Sequence, residues 1–401
     1  MVGMKIKRLI FNALASQITE PKISILIGPR QVGKTFLLKE LEQEAQKQGY
    51  KTRYFDLEQP PDMLSLGPTE KEQYDTLVSS GDVIFIDEMH LLKNISHIFK
   101  VIHDSKHRVK IFASGSSALE MHKHLKESMA GRVIMNRIFP LTIEELRQVQ
   151  GFKDENVLIE GAMPGLINCV DLEKKIDELQ SIVSLYISKD IKSLVREENI
   201  RAFNHLMYLL AEKQGSIVVA ANLANEIDLS KPTVEKYLEI LSQTYVCHTL
   251  NSYAKNLSNE LKKSKKYYLF DLGIRNSLLK DFSSIENRAD AGFLKESFVA
   301  LNIMRQLKPN MEARFWRTKH GDEVDFILIK NRRPFAVEVK SELSKPEIPE
   351  GLKKFLNSYP EAVGAIVFNN NLTESIEYSN RRVNFLPWTQ AVKIDFLQTV
   401  L

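Results

Sequence analysis

GPRQVGKT, Gly28 to Thr35, satisfies the pattern GxxxxGK[ST], and its flanks supply the context that the pattern requires. KISILIG, Lys22 to Gly28, has the apolar, β-branched content of a buried strand, and FLLKELEQEAQKQG after Thr35 has helical spacing. Strand, glycine-bearing turn and helix make a phosphate cradle. Gly28 and Gly33 let backbone N–H groups approach phosphate oxygens across the loop Pro29, Arg30, Gln31 and Val32. Lys34 reaches the β and γ phosphates, and Thr35 offers a hydroxyl to Mg2+. The ligands expected are ATP and Mg2+.

Further along, TRYFDLE holds a second strand, Arg53 to Asp56, and DVIFIDE is an apolar strand ending in two acids. In P-loop ATPases the first such acid positions magnesium and the second activates water, which gives those roles to Asp87 and Glu88. Another strand, VKIFAS, leads into GSSALEMHKHL. Ser116 and Ser117 there are placed to sense a γ-phosphate, and helix N-capping explains them equally well. MAGRVIMNRIFPLTIEEL offers Arg132 and, less strongly, Arg137 as an arginine finger acting across a subunit boundary of a homo-oligomer. His122 and His124 form an HxH with no third ligand and make a poor metal site.

A chain of 401 residues exceeds a typical single domain, and 43% hydrophobic with 26% charged residues is the balance of a folded protein. A net charge of +4 favours an anionic partner only weakly, so local clustering must carry that case. The two cysteines, Cys169 and Cys247, are far apart and suggest neither a disulfide framework nor a zinc site, which fits a reducing, cytoplasmic setting. The N-terminal stretch MVGMKIKRLIFNALASQ reads as an amphipathic helix, and no apolar run approaches a membrane span.

After the turn-rich GAMPGLIN, Gly161 to Asn168, the chain turns helical. FNHLMYLLAEKQG, VVAANLANEIDL and SKPTVEKYLEILSQT predict three short helices. Ser230 is the expected N-cap of the third, with Pro232 in its first turn. Val234, Leu238 and Leu241 share its core face, leaving Lys231, Thr233, Glu235 and Lys236 outward. YVCHTLNSY and KYYLFDL then read as strands separated by AKNLSNELKKSKK. Helix, turn, helix and β-wing is the order of a winged helix. Between Ala254 and Lys266, Lys255, Lys262, Lys263, Lys265 and Lys266 face only Glu260. Such a tip attracts DNA phosphates without reading bases, though winged helices also serve as protein contacts and a lysine-rich hairpin serves solubility.

The last chemical signal is GDEVDFILIKNRRPFAVEVK, Gly321 to Lys340. If VDFILIK and PFAVEVK form a hairpin with Asn331 and Arg332 as its turn, Lys330 pairs with Arg333 and Asp325 falls opposite Glu338. Val324, Phe326 and Leu328 then share the buried face with Phe335, Val337 and Val339. The other face gathers Asp325, Glu338 and Lys340 at its far end, with Glu323 nearby. Opposed acids repel by a few tenths to about 1 kcal/mol, a penalty that a divalent cation removes. In AGFLKESFVALNIMRQL, Glu296 shares a stripe with Phe293, Ala300, Ile303 and Leu307, while Lys295, Asn302 and Arg305 take polar faces. A carboxylate on a packed apolar stripe requires a partner or a metal.

Two resemblances join these signals. IGPRQVGKTFLL, VIFIDE, FASGSS, AGRV, FPLTIEEL and GAMPG, continued by YISKDI, YLEIL, YYLFDLGIRN, GDEVDF and AVEVK, together resemble a widespread family of archaeal and bacterial AAA-type ATPases with a C-terminal domain of unknown function. His90 departs from the polar residue expected after the two acids. The helical Glu, strand Asp and Glu-x-Lys resemble the PD-(D/E)xK nucleases. That likeness implies that Asp325 and Glu338 hold magnesium, that Glu296 supports the metal site, and that Lys340 orients the attacking water.

The expected architecture is α/β. A parallel P-loop AAA-type core occupies residues 1–150, a helical lid and winged helix 151–284, and an α/β restriction-endonuclease-like domain 285–401. Two functions follow: an ATPase acting on DNA through the winged helix and the nuclease-like domain, or a nucleotide-controlled protein-interaction switch whose nuclease-like fold is inactive.

Overall fold

A computed structural model of the protein describes residues 5–105, 108–115, 129–169, 171–185, 199–253 and 265–393. The chain divides into two compact units. The first comprises Met1–Leu141, Met163–Asn168 and Gln243–Val246, and the second Thr142–Ala162, Cys169–Ser242 and Cys247–Leu401.

The first unit is built on a five-stranded parallel sheet of β1 (Ile23–Ile27), β2 (Thr52–Asp56), β3 (Val83–Asp87), β4 (Lys110–Gly115) and β5 (Val133–Arg137), in the order β2-β3-β4-β1-β5. Every residue of β1, β3 and β4 is buried, as expected of largely apolar parallel strands covered on both faces. Helix α1 (Lys34–Lys47) starts directly after Gly33 and buries Leu37, Leu38, Leu41 and Ala45, a stripe at helical spacing. Because the strands are parallel, the turns after β1, β3 and β4 all leave one edge of the sheet.

In the second unit, after helices at Ile143–Leu146, Asn156–Glu160 and Leu172–Leu185, come α2 (Ile200–Glu212), α3 (Ala220–Glu226) and α4 (Lys231–Gln243). Ser230 caps α4, its Oγ accepting from Thr233 N at 3.3 Å, and Val234, Leu238 and Leu241 are buried as the spacing predicts. Next come β7 (Cys247–Ser252) and β8 (Lys265–Leu269), an antiparallel pair extended by the short β6 (Ile217–Val218).

These strands do not stand alone. β7 pairs in parallel with β9 (Met311–Arg317), which continues through β10 (Glu323–Lys330), β11 (Arg333–Val339), β12 (Ala365–Asn369), β14 (Arg381–Pro387) and β13 (Glu374–Tyr378). The result is one nine-stranded mixed sheet. The boundary expected at residue 284 therefore runs through a single hydrogen-bonded sheet. FDLGIRN lies at that crossing and is structural. Asp271 caps α5 (Leu272–Leu279) by accepting from Ile274 N at 3.1 Å, and also accepts from Ala162 N at 2.7 Å. Asn276 donates to the carbonyls of Leu158 and Ile159.

The β10–β11 hairpin has the expected register, from Lys330↔Arg333 to Phe326↔Val337, and its turn residues Asn331 and Arg332 both take the left-handed conformation of a type I′ turn. The expected sorting of faces fails. Both faces are covered, and Val324 packs in one cluster with Ile327 and Ala336, away from Phe326. The cause is a bulge between Val324 and Ile327 against β9, which reverses the alternation there. A second correction concerns α6 (Ala291–Gln306). Residues Leu294 to Ala300 are all buried, Lys295 among them, and Asn302 is buried too, whereas Phe293 is 49% exposed. The helix is packed on several sides, so no polar stripe survives.

One consequence is testable by dissection. A fragment from Asn287 to Leu401 removes β6 to β8 and leaves β9 as a raw edge. Circular dichroism and hydrogen exchange should find no cooperative unfolding in that fragment, while the full chain retains it.

Candidate functional site

At the open edge of the first sheet, Gly28 leaves β1 with its Cα against Ile138; a Cβ there would lie 2.3 Å from the Ile138 carbonyl oxygen. Gly33 takes φ +93°, which favours glycine where the loop enters α1. Lys34 is buried, and its Nζ donates to the carbonyls of Gly28 at 2.9 Å and Pro29 at 2.7 Å. The ammonium thus rests on the loop that it is expected to serve. Thr35 is exposed one residue later.

Asp87 ends β3 nearly buried. Its Oδ1 accepts from Ser114 Oγ and its Oδ2 from Tyr54 OH at 3.0 Å. Both donors fix the carboxylate, and burial followed by the Asp87 charge pushes the Tyr54 phenol well above its ordinary range. Glu88 has φ +54°, and its N–H donates to Ser114 Oγ at 3.2 Å. His90 Nδ1 lies 3.1 Å from Glu88 Oε2, near enough for an ion pair but without hydrogen-bond geometry. The Thr35 hydroxyl and the Asp87 carboxylate are oxygen donors of the kind Mg2+ takes, and the loop N–H groups suit a polyphosphate.

Sequence reasoning missed Arg8, Tyr54 and Ser114. Arg8 donates to Val32 O at 2.9 Å and Phe139 O at 2.8 Å, bracing the phosphate loop from 24 residues upstream. Ser114 was legible, since it ends the strand beside Asp87; Ser116 and Ser117 lie outside the described residues, as do His122 and His124. Arg132 is bound in its own chain, where its Nε and Nη2 reach Asp104 at 2.8 and 2.9 Å. Arg137 pairs in register with Ile27 and lies over the rings of Phe139 and Tyr245.

The second site is a cleft of about 710 Å³ in the second unit, lined by Glu296, Glu323, Asp325, Glu338 and Lys340 together with Lys266. Lys266 was expected on a solvated basic tip. It is 1% exposed, and its Nζ lies 3.2 Å from Glu296 Oε1 and 2.6 Å from Glu323 Oε1. Tyr268, two residues on and so on the same face of β8, donates to Glu296 Oε1 at 2.7 Å. Glu323 also holds Arg317 at 3.2 Å. Of the basic tract, residues 254–264 lie outside the described residues, and Lys231 and Lys236 are exposed on α4.

Asp325 and Glu338 are locked to each other's strands: Val339 N donates to Asp325 Oδ2 at 2.8 Å and Asp325 N to Glu338 Oε2 at 3.3 Å. Lys340 Nζ sits 2.8 Å from Glu338 Oε1 and stays exposed. Among the described residues no three acidic, histidine or cysteine side chains converge on one point as a metal set. Glu296, expected to join Asp325 and Glu338, already has its counter-charge in Lys266. Asp325 and Glu338 remain the pair whose donor atoms fit a divalent ion.

Electrostatics follow from this crowding. Burial, with the Asp325 charge, raises Glu338 to about 8; burial raises Glu296 to about 7 against the pull of Lys266. Burial raises Asp325 as well. Lys266 is pulled down by burial, but Glu296, Asp325 and Glu323 more than offset this and hold it charged.

Residues 20–147 match the family model of an AAA domain. Residues 153–284 and 291–391 match models of two domains of unknown function, DUF8612 and DUF4143. An uncharacterized protein of Mycobacterium tuberculosis is 25% identical over 349 residues, covering 86% of this chain and 76% of its own. Another, of Methanocaldococcus jannaschii, is 23% identical over 380 residues, covering 90% and 82%. Among solved structures, DnaA of Aquifex aeolicus bound to AMPPCP is 18% identical over 61% of this chain and 90% of its own, with a TM-score of 0.32. The RuvB Holliday junction branch migration motor of Thermotoga maritima gives 16%, 61%, 89% and 0.32. Likenesses this loose say nothing of substrate.

Two measurements check the second cleft. Replacing Lys266 by Met strands the buried Glu296 beside the half-buried Glu323 and should destabilise the protein by about 3–5 kcal/mol in denaturant unfolding, with Lys266→Met/Glu296→Gln recovering part of the loss. The pH dependence has a defined sign. Glu296 and Glu338 bind protons more tightly folded than unfolded, so their contribution is complete below the ordinary glutamate value and is lost as pH rises through about 7 and about 8. Unfolding free energy should fall across that window, and Glu338→Gln should flatten the fall. Residues 20–147, which carry the phosphate loop and the five-stranded parallel sheet, thus match an AAA domain.

Proposed function

We propose that this protein binds and hydrolyses ATP at Gly28–Thr35, Asp87 and Glu88, and that nucleotide state governs its association with DNA through a winged helix and a nuclease-like cleft. The observation that carries the reading is the meeting of Lys34, Asp87 and Glu88 at one sheet edge, with Asp87 fixed by Ser114 and Tyr54. Lys34 exchanges its loop carbonyls for phosphate oxygens. Glu88 takes the proton of the attacking water, and Mg2+, held by Thr35 and Asp87, supplies charge neutralisation when bound.

For DNA, the support is the order of α2, β6, α3, α4, β7 and β8, which is that of a winged helix, with Lys231 and Lys236 exposed on α4. For the cleft, it is the antiparallel β9–β10–β11 followed by parallel β12, preceded by α6, with Asp325, Glu338 and Lys340 as the PD-(D/E)xK set. A cytoplasmic setting accords with the absence, among the described residues, of any helix long and apolar enough to cross a membrane. A homo-oligomer with Arg132 as its finger requires that arginine to leave Asp104.

The second reading, a nucleotide-controlled protein-interaction switch with an inactive nuclease-like fold, is favoured by one observation: Glu296 is already neutralised by Lys266. Purified protein separates the two. Lys34→Ala should abolish nucleotide binding, and Glu88→Gln should keep it while slowing hydrolysis on the order of 100-fold. Filter retention of DNA at low salt supports the first reading, and its absence with and without ATP removes it. Metal-dependent cleavage lost in Asp325→Ala and Lys340→Ala but kept in Lys34→Ala removes the second.

A further inference from the structure

Phosphodiester chemistry accounts for the acids and lysines of the second cleft. It does not account for Phe293. From Leu294 to Ala300 helix α6 is buried, yet the residue just before, in its first turn, is a phenylalanine left 49% exposed on the wall of a polar cleft. An aromatic half exposed on the wall of a cleft has burial energy to offer a ligand that covers it. Two cations line the same cleft and keep contact with solvent: Arg317, its side chain 41% exposed, and Lys340, 46% exposed.

An exposed aromatic in one cleft with a guanidinium and an ammonium, each paired with an acid there and still open to solvent, matches a ligand that carries a planar ring and phosphates together. The dimensions narrow the class. About 710 Å³ is the volume of a drug-sized ligand, the scale of one unstacked nucleotide. We propose that the cleft takes an unpaired nucleotide of a single-stranded polynucleotide, its base stacked on Phe293 and its phosphates met by Arg317 and Lys340. This rests on the reading of the second unit as nucleic-acid-associated and adds the substrate class, a single strand or frayed end. Stacking is indifferent to the sugar, so DNA and RNA share the chemistry.

The test uses the full chain with Ca2+ in place of Mg2+ to suppress cleavage. Fluorescence anisotropy is read on three labelled oligonucleotides: single-stranded DNA, single-stranded RNA and blunt duplex DNA. Phe293→Ala should weaken single-strand binding about tenfold and leave duplex binding unchanged, while Phe293→Trp restores it. A 2-aminopurine in the strand should be quenched by the parent and not by Phe293→Ala, and the sugar that the parent binds more tightly identifies the substrate. Because Phe293 is half exposed, thermal melting of the Ala variant should match the parent. Single-strand binding by the parent that is indifferent to Phe293, or an equal loss on duplex, overturns the inference and leaves the nucleic-acid reading standing. No binding of any oligonucleotide by the parent overturns both.

Discussion

A lysine without water around it holds the second unit together. Lys266 sits on β8 with an ammonium that touches Glu296 from α6 and Glu323 from β10. Removing a charge from water costs several kcal/mol, and two carboxylates in the same place repay it only when the geometry is close. Tyr268 improves that geometry by donating to the same oxygen of Glu296. Three elements far apart in sequence are thereby obliged to fold together. The parallel pairing of β7 with β9 expresses the same obligation in backbone hydrogen bonds. Two segments that match separate family models thus contribute to one sheet and one cleft.

The first unit solves a different problem with a different device. A phosphate loop must hold N–H groups toward empty space, so its carbonyls and charged side chain need partners elsewhere. Lys34 takes two of those carbonyls and Arg8 takes Val32 O while anchoring itself on Phe139 O. The loop is thus pinned from both sides. At the neighbouring strand end, Ser114 bridges the Asp87 side chain and the Glu88 backbone, so one hydroxyl orients both acids. A parallel sheet brings these groups together because each strand ends at the same edge.

What could be read from the chain without coordinates was whatever local pattern dictates. GPRQVGKT declared strand, loop and helix through glycine spacing and flanking periodicity, and the turn Asn331–Arg332 was enough to count Asp325 onto Glu338. Features that depend on distant partners were not legible. Arg8 looked like one more cation on an amphipathic stretch, because nothing near it announces Val32 or Phe139. Val324 was assigned by alternation to the wrong side, since a bulge is a property of two strands and not of one. Lys266 is the instructive case. Grouped with the lysines before it, it joined a solvated tip; paired with Tyr268 and Phe270 at a spacing of two, it belonged to a buried face. Charge clustering and strand periodicity disagreed there, and burial energy settled the disagreement.

That outcome also bears on how acids and cations divide the cleft. A metal ion and a lysine ammonium answer the same electrostatic demand, but the lysine cannot leave. Glu296 and Glu323 both lie against the buried ammonium of Lys266. Asp325 and Glu338 are served by backbone N–H groups and by an exposed Lys340, partners that stabilise a carboxylate less than a buried cation does. Burial raises the proton affinity of both, as it does that of Glu296 despite its lysine. The cleft thus sets Glu296 and Glu323 against a buried ammonium, and Asp325 and Glu338 against backbone N–H groups and an ammonium open to solvent.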